Sequence, residues 1–219
     1  MFFMQKYFIN NNSDKLILFF AGWACDEHEF SHLSAKSDVL ILYNYLDLEL
    51  DFDFTKYKEI NLLAFSAGVF VSSIFKHNLK IKRSLGVCGN PYLFDEHYGL
   101  SKETVEIFKN ITDDTALDFC RNYLVQTDEE FEVLKKHQSR RTIDSSNKEL
   151  DALYEIYIRE KENIKPVFDI VLAGDNDEIF PLETQQEFFK DKLCIVKNAR
   201  HNIFYRLKNY EDVFRLAFN

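Results

Sequence analysis

Glycine is scarce in this sequence: six in 219 residues, less than half the usual ~7%, so each one that remains marks a place where a side chain has no room. None of them falls in a G-x-G-x-x-G or G-x-x-x-x-G-K arrangement, which leaves little basis for a nucleotide site. Cysteine is sparse and scattered. Cys25, Cys88, Cys120 and Cys194 form no C-x-x-C pair, which predicts reduced thiols rather than a disulfide scaffold. No apolar run approaches the ~20 residues of a membrane span. The apolar start, Met1 to Phe8, is too short for a secretory leader and lacks its basic beginning and small-residue cleavage site. A soluble, cytoplasmic protein with no membrane partner is expected. Cations are also in deficit, leaving a formal charge of −9, so nucleic acid is not an expected partner.

Aromatic residues are abundant: 22 Phe, 11 Tyr and one Trp predict an aromatic-walled interior. The length suits one α/β domain with a sizeable core. Met1–Ile9, Leu16–Phe20, Val39–Tyr43, Ile60–Phe65 and Ser84–Cys88 read as strands, with a helix over Val69–His77. Strand, crossover helix and strand at this spacing predict a mostly parallel sheet with helices on both faces. From Leu100 to about Asn163 helical periodicity replaces strand signals, which predicts an inserted helical cap. The α/β pattern then returns with a strand at Val167–Ala173, a helix at Glu183–Lys190, a strand at Leu193–Val196 and a closing helix over Tyr205–Phe218.

Ala64-Phe65-Ser66-Ala67-Gly68 runs a strand directly into a serine and then a helix, the pattern of a nucleophile elbow. The turn is so tight that the residues two before and two after the serine must be small; Ala64 and Gly68 are. A plain helix N-cap is the competing reading of Ser66. A serine hydroxyl needs a base and a group that orients the base. In chain order these follow as an acid after a late strand and a histidine in the next loop. His201 follows the last strand, and Asp177 lies in the loop after the preceding one, with Asp175 as the second choice and Asp169 placed mid-strand. The oxyanion donors expected are the backbone N–H of Ala67 and, from the loop after an early strand, that of Trp23.

Other features have plainer readings. His28 and His32 share a helical spacing but lack metal-site companions, and no metal or organic cofactor is expected. Lys135-Lys136-His137-Gln138-Ser139-Arg140-Arg141 gathers four cations, either as a solvated helix end or, through Arg140 and Arg141, as a docking patch for an acidic carrier.

With Ser66, Asp177 and His201 in this order, the chain resembles the α/β-hydrolase superfamily. More specifically, Leu18-Phe19-Phe20-Ala21-Gly22-Trp23-Ala24-Cys25-Asp26, Tyr43-Asn44-Tyr45, Leu63-Ala64-Phe65-Ser66-Ala67-Gly68-Val69, Cys88-Gly89-Asn90-Pro91-Tyr92 and Tyr98-Gly99-Leu100 are similar to successive blocks of the BioG-type pimeloyl-acyl-carrier-protein methyl ester esterases. Asn44 stands where that family usually has an acid. The resemblance implies an α/β-hydrolase fold and, in biotin synthesis, hydrolysis of the methyl ester of pimeloyl carried on acyl carrier protein, which would be the partner. Two rival readings are a generic carboxylesterase or acyl-thioesterase acting on free substrates, and a non-catalytic binding protein on the same fold.

Overall fold

The computed structural model describes residues 4–218. Seven strands, β1 (Gln5–Ile9), β2 (Lys15–Phe20), β3 (Asp38–Tyr43), β4 (Glu59–Phe65), β5 (Ile81–Val87), β6 (Ile170–Gly174) and β7 (Leu193–Val196), form one sheet in the order β1-β3-β2-β4-β5-β6-β7. Only β1 is antiparallel to its neighbour; every other pairing is parallel. Because both faces are covered, the central strands carry continuous apolar runs, Leu16–Phe20, Val39–Tyr43 and Leu62–Phe65, rather than alternating. Leu16, Leu18 and Phe20 of β2 join the core on one face, and Ile17 and Phe19 join the core on the other.

The first face is covered by α1 (Ala67–Ile74), α6 (Leu182–Phe189) and α5 (Ile143–Glu160). The second is covered by α7 (Tyr210–Phe218) and the short turns at Glu27–Phe30 and Ile203–Arg206. Between β5 and β6 the regular elements are helices: α2 (Lys102–Lys109), α3 (Ala116–Phe119), a π-helical turn (Cys120–Leu124), α4 (Asp128–Lys136) and then α5. Ser101, Thr127 and Thr142 start α2, α4 and α5, each side chain accepting a hydrogen bond from a first-turn N–H.

Several element boundaries differ from the sequence reading, among them the start of β5, which is Ile81 rather than Ser84. Residues 1–3 of the expected first strand lie outside the described residues, and Met4 donates its N–H to the Asp47 side chain rather than to the ladder. The helix after Ser66 ends at Ile74, with Phe75 already extended, so His77 lies beyond it. β6 begins at Ile170 rather than Val167, since Asp169 is tied to the Ser84 N–H and hydroxyl just before the strand. The closing helix begins at Tyr210, not Tyr205. Two asparagine caps divide that apolar stretch: Asn202 accepts from Phe204 N–H and Asn209 from Asp212 N–H, each opening a separate helical piece.

Candidate active site

The chain leaves β2 toward β3 on one side and later returns to β4 on the other, so a crevice opens at the carboxyl ends of β2 and β4, where ligands bind in sheets of this kind. Ser66 stands at the end of β4 with φ 54 and ψ −122. This is a strained conformation for a residue with a side chain, held by Ser66 N–H donating to Val87 O at 2.9 Å and by α1 starting at the next residue. Gly68 is required by packing: a Cβ there would lie 2.2 Å from Phe20 O. Its absence lets α1 press onto the end of β2 and places Ser66 beside the Gly22-Trp23 loop.

Two loops supply the partners. His201 Nε2 lies 3.0 Å from Ser66 Oγ, and His201 Nδ1 lies 2.9 Å from Asp177 Oδ2. A carboxylate can only accept, so Nδ1 carries the proton and Nε2 faces the serine hydroxyl as an acceptor. Asp177 is itself oriented: its other oxygen accepts from the N–H groups of Ile179 and Phe180, and its carboxylate is fully buried. Asp175, the second choice, points elsewhere and accepts from Ala199 N–H at 3.1 Å, bracing the loop that carries His201. That loop passes so close to β6 that a Cβ on Gly174 would lie 2.5 Å from Ala199 O. The His201 ring is stacked on Phe180 and flanked by Phe65.

The helical segment completes the walls. A cavity of about 490 Å³ runs from Ser66 and His201 past Trp23, Phe108, Leu117 and Leu153. Ala67 N–H is at the open first position of α1, where no intrahelical acceptor exists. Among the described residues no acceptor takes the Trp23 N–H. Both border the cavity, while the Trp23 ring stacks on Phe108 at 4.7 Å. The carbonyls of the π-helical turn hold the histidine loop: Tyr123 O accepts from His201 N–H and Leu124 O from Asn202 N–H. Such turns free carbonyls from the helical ladder.

Two buried carboxylates were not anticipated. Glu29 accepts from Asn202 Nδ2 at 2.8 Å and from the Tyr205 hydroxyl at 3.1 Å, and burial pushes its carboxyl up to about 7. Glu149 faces the Trp23-Ala24 loop from α5 and pairs with Arg141. Burial raises its carboxyl, and Arg141 with the N–H groups of Tyr45 and Ala24 works in the opposite direction. A visible signal existed for Glu149, since it sits beside the apolar stripe of Leu150, Leu153 and Ile156 on α5.

The expectation for Arg141 needs correction. Its side chain is only 7% exposed and points inward to Glu149, Asn44 Oδ1 and Ser145, so it offers nothing to an external partner. Arg140, Lys135 and Lys136 do stand exposed. His28 and His32 bond to Gln138 O and Phe204 O, and no group of three or more His, Cys, Asp or Glu suited to a metal occurs among the described residues. The four cysteines, all described, form no disulfide. Burial pushes the pocket-lining thiols up, that of Cys120 to about 12 and that of Cys25 well above its ordinary range, which leaves both poor nucleophiles. No described helix is long and apolar enough to cross a membrane.

Comparisons with known proteins fit this geometry. The sequence model of the family described as pimeloyl-ACP methyl esterase BioG matches residues 4–213. The crystal structure of BioG from Haemophilus influenzae superposes with a TM-score of 0.83 at 27% identity, covering 95% of this chain and 99% of that one. A protein of Bacteroides fragilis named malonyl-[acyl-carrier protein] O-methyltransferase is 29% identical over 187 residues, 81% of this chain but 37% of its own length. An α/β-hydrolase-fold protein from Burkholderia ambifaria, 13% identical with a TM-score of 0.62, shares the fold over 98% of this chain and 93% of its own.

Proposed function

The chain belongs to the BioG family of pimeloyl-ACP methyl esterases, ester hydrolases of biotin synthesis on the α/β-hydrolase fold, and from this premise we propose that it removes the methyl group from pimeloyl methyl ester carried on acyl carrier protein, using Ser66, His201 and Asp177. The observation that carries the reading is the unbroken chain of hydrogen bonds from Asp177 through His201 to Ser66, ending at the mouth of an apolar cavity.

Ser66 Oγ attacks the ester carbonyl while His201 Nε2 takes its proton, and Asp177 stabilises the imidazolium that results. The N–H groups of Ala67 and Trp23 hold the negative charge that develops on the carbonyl oxygen. His201 then protonates the departing methoxide, which leaves as methanol. Water, deprotonated by His201, attacks the acyl-serine; Ser66 regains its proton and the free carboxylic acid remains on the carrier-bound chain. No step calls for a metal or organic cofactor.

We read residues 100–163 as a cap on a single α/β-hydrolase domain, whose inward face supplies the apolar channel that an acyl chain needs. Exposed Arg140, with Lys135 and Lys136, is the docking patch for the acidic carrier; Arg141 is not part of it. The Bacteroides fragilis relative supports a carrier-bound methyl ester: a polypeptide named for a methyltransferase acting on an acyl carrier protein also contains a segment similar to this chain. An intracellular, cytoplasmic setting follows from such a partner.

The test is methanol release from the carrier-bound ester by the purified protein. The reading expects turnover that Ser66→Ala abolishes, and a fully active Ser66→Ala would overturn it.

A further inference from the structure

The loops after β2 and β3 each contain a residue with a side chain in the left-handed region: Ala24 at φ 63 and Asn44 at φ 55. Neither conformation is favourable on its own. Both are held from across the pocket by one ion pair of the helical segment. Glu149 Oε2 accepts the Ala24 N–H at 3.0 Å, and its Oε1 accepts the Tyr45 N–H at 2.9 Å. Arg141 pairs with Glu149, donates through Nη2 to Asn44 Oδ1 at 2.8 Å and through Nη1 to Cys25 O at 3.4 Å. Three residues from the start of α5, Trp23 is gripped by the same helix, its Nε1 donating to Ser146 O at 2.6 Å.

The consequence concerns Trp23. Its own N–H is the one proposed to meet the oxyanion; it lies in the Gly22–Trp23 peptide, whose carbonyl accepts the Cys25 N–H at 3.3 Å, and its direction follows from that turn and from the Trp23 torsions that join it to the next peptide. Glu149 fixes that following peptide by taking the Ala24 N–H, and Ser146 O fixes the indole. The Glu149 carboxylate is completely buried on the mostly apolar inner face of α5, a position where leucine would avoid the desolvation that an ionised group suffers. A charge kept there therefore answers to something other than packing.

The geometry points to Glu149, braced by Arg141, as a positioning residue that sets the Trp23 N–H for the oxyanion from the helical segment. This deepens the Ser66 esterase reading and rests on it. The half of the oxyanion site at Ala67 is fixed by the sheet and α1, whereas the half at Trp23 is fixed by the turn of its own loop together with α5. Transition-state stabilisation, rather than substrate binding, is what a disturbed Glu149 should cost.

The experiment measures kcat and KM separately on p-nitrophenyl butyrate, a free ester that makes the carrier irrelevant, with thermal unfolding as the folding control. Glu149→Leu, which removes both acceptor oxygens, is expected to lower kcat by about 10²-fold with KM changed less than about threefold. Glu149→Gln keeps one amide oxygen for the Ala24 N–H and is expected to recover about tenfold of that loss. A folded Glu149→Leu with wild-type kcat overturns the inference, as does a loss that appears in KM alone or one that Glu149→Gln does not relieve. If Glu149→Leu fails to fold, Glu149→Gln decides: a kcat about tenfold below wild type with KM little changed supports the inference, and a wild-type kcat overturns it. A wild-type protein inert toward every ester would instead overturn the Ser66 reading, and this inference with it.

Discussion

The two walls of the pocket are built on different physics. On the sheet side, Ser66, Asp177 and His201 stand on loops at the carboxyl ends of β4, β6 and β7, and backbone groups orient them: Val87 O holds Ser66, the N–H groups of Ile179 and Phe180 hold Asp177, and only His201 takes a hold from the opposite wall, its N–H donating to Tyr123 O of the π-helical turn. On the helical side, α2, α3 and α5 present apolar side chains with little polar detail, apart from the Arg141–Glu149 pair. Reacting groups must be held to within a fraction of an ångström, and strand ends supply that rigidity. An acyl chain needs only dry volume, which helices provide with many alternative side chains. Chemistry and substrate fit should therefore respond very differently to substitution.

The largest effects should fall on the sheet side. Ser66→Ala and His201→Ala are expected to lower ester turnover by at least about 10⁴-fold with the fold retained; steady-state rates with a thermal melt as control check this. Asp177→Asn should cost about 10³ to 10⁴-fold, because the imidazole would lose its tautomer and its counter-charge. Asp175→Asn, which disturbs only the brace to Ala199, should cost less than about tenfold. An equal loss in the two asparagine variants would erase the distinction between orienting the base and supporting its loop.

Glu29 lies on the seam between the two walls and gives an effect of intermediate size. Its folded-state carboxyl is raised to about 7 from an ordinary value of 4.5, so the folded protein binds the proton more tightly than the unfolded chain does. That stability is fully present below the unfolded value and is lost as pH rises through about 7, amounting to roughly 3 kcal/mol. Glu29→Gln should flatten the fall in unfolding midpoint between about pH 5 and about pH 8, measured by calorimetry; an undiminished slope would remove Glu29 as its cause. The smallest effect belongs to the outer surface of the helical segment. Arg140→Glu should raise KM for the carrier-bound ester several-fold while leaving a free ester unaffected, and equal effects on both would reject the docking patch.

Much of the sheet side could be read in the sequence because its constraints are local. The turn at Ser66 tolerates only small neighbours, and the positions of Asp177 and His201 follow from chain order. The choice between Asp177 and Asp175 was not local, since both occupy one loop and only the tertiary path decides which carboxylate meets His201. Arg140 and Arg141 show the limit most clearly. As a run of charge the two look alike, yet the turn that leads to the Thr142 cap of α5 directs one outward and the other into the pocket. Glu149 was legible in principle as a charge beside an apolar stripe, but its partners, Ala24 and Tyr45, are more than a hundred residues away. The split of the final helical stretch was signalled by Asn202 and Asn209, whose capping role the continuous apolar pattern masked.

The most direct test is the mass of the carrier protein after incubation of its pimeloyl methyl ester with the enzyme. Removal of the methyl group alone, leaving the pimeloyl chain on the carrier and failing with Ser66→Ala, is the result expected here. A carrier stripped of its whole acyl chain would identify a thioesterase, and a carrier left unchanged would contradict the methyl esterase account.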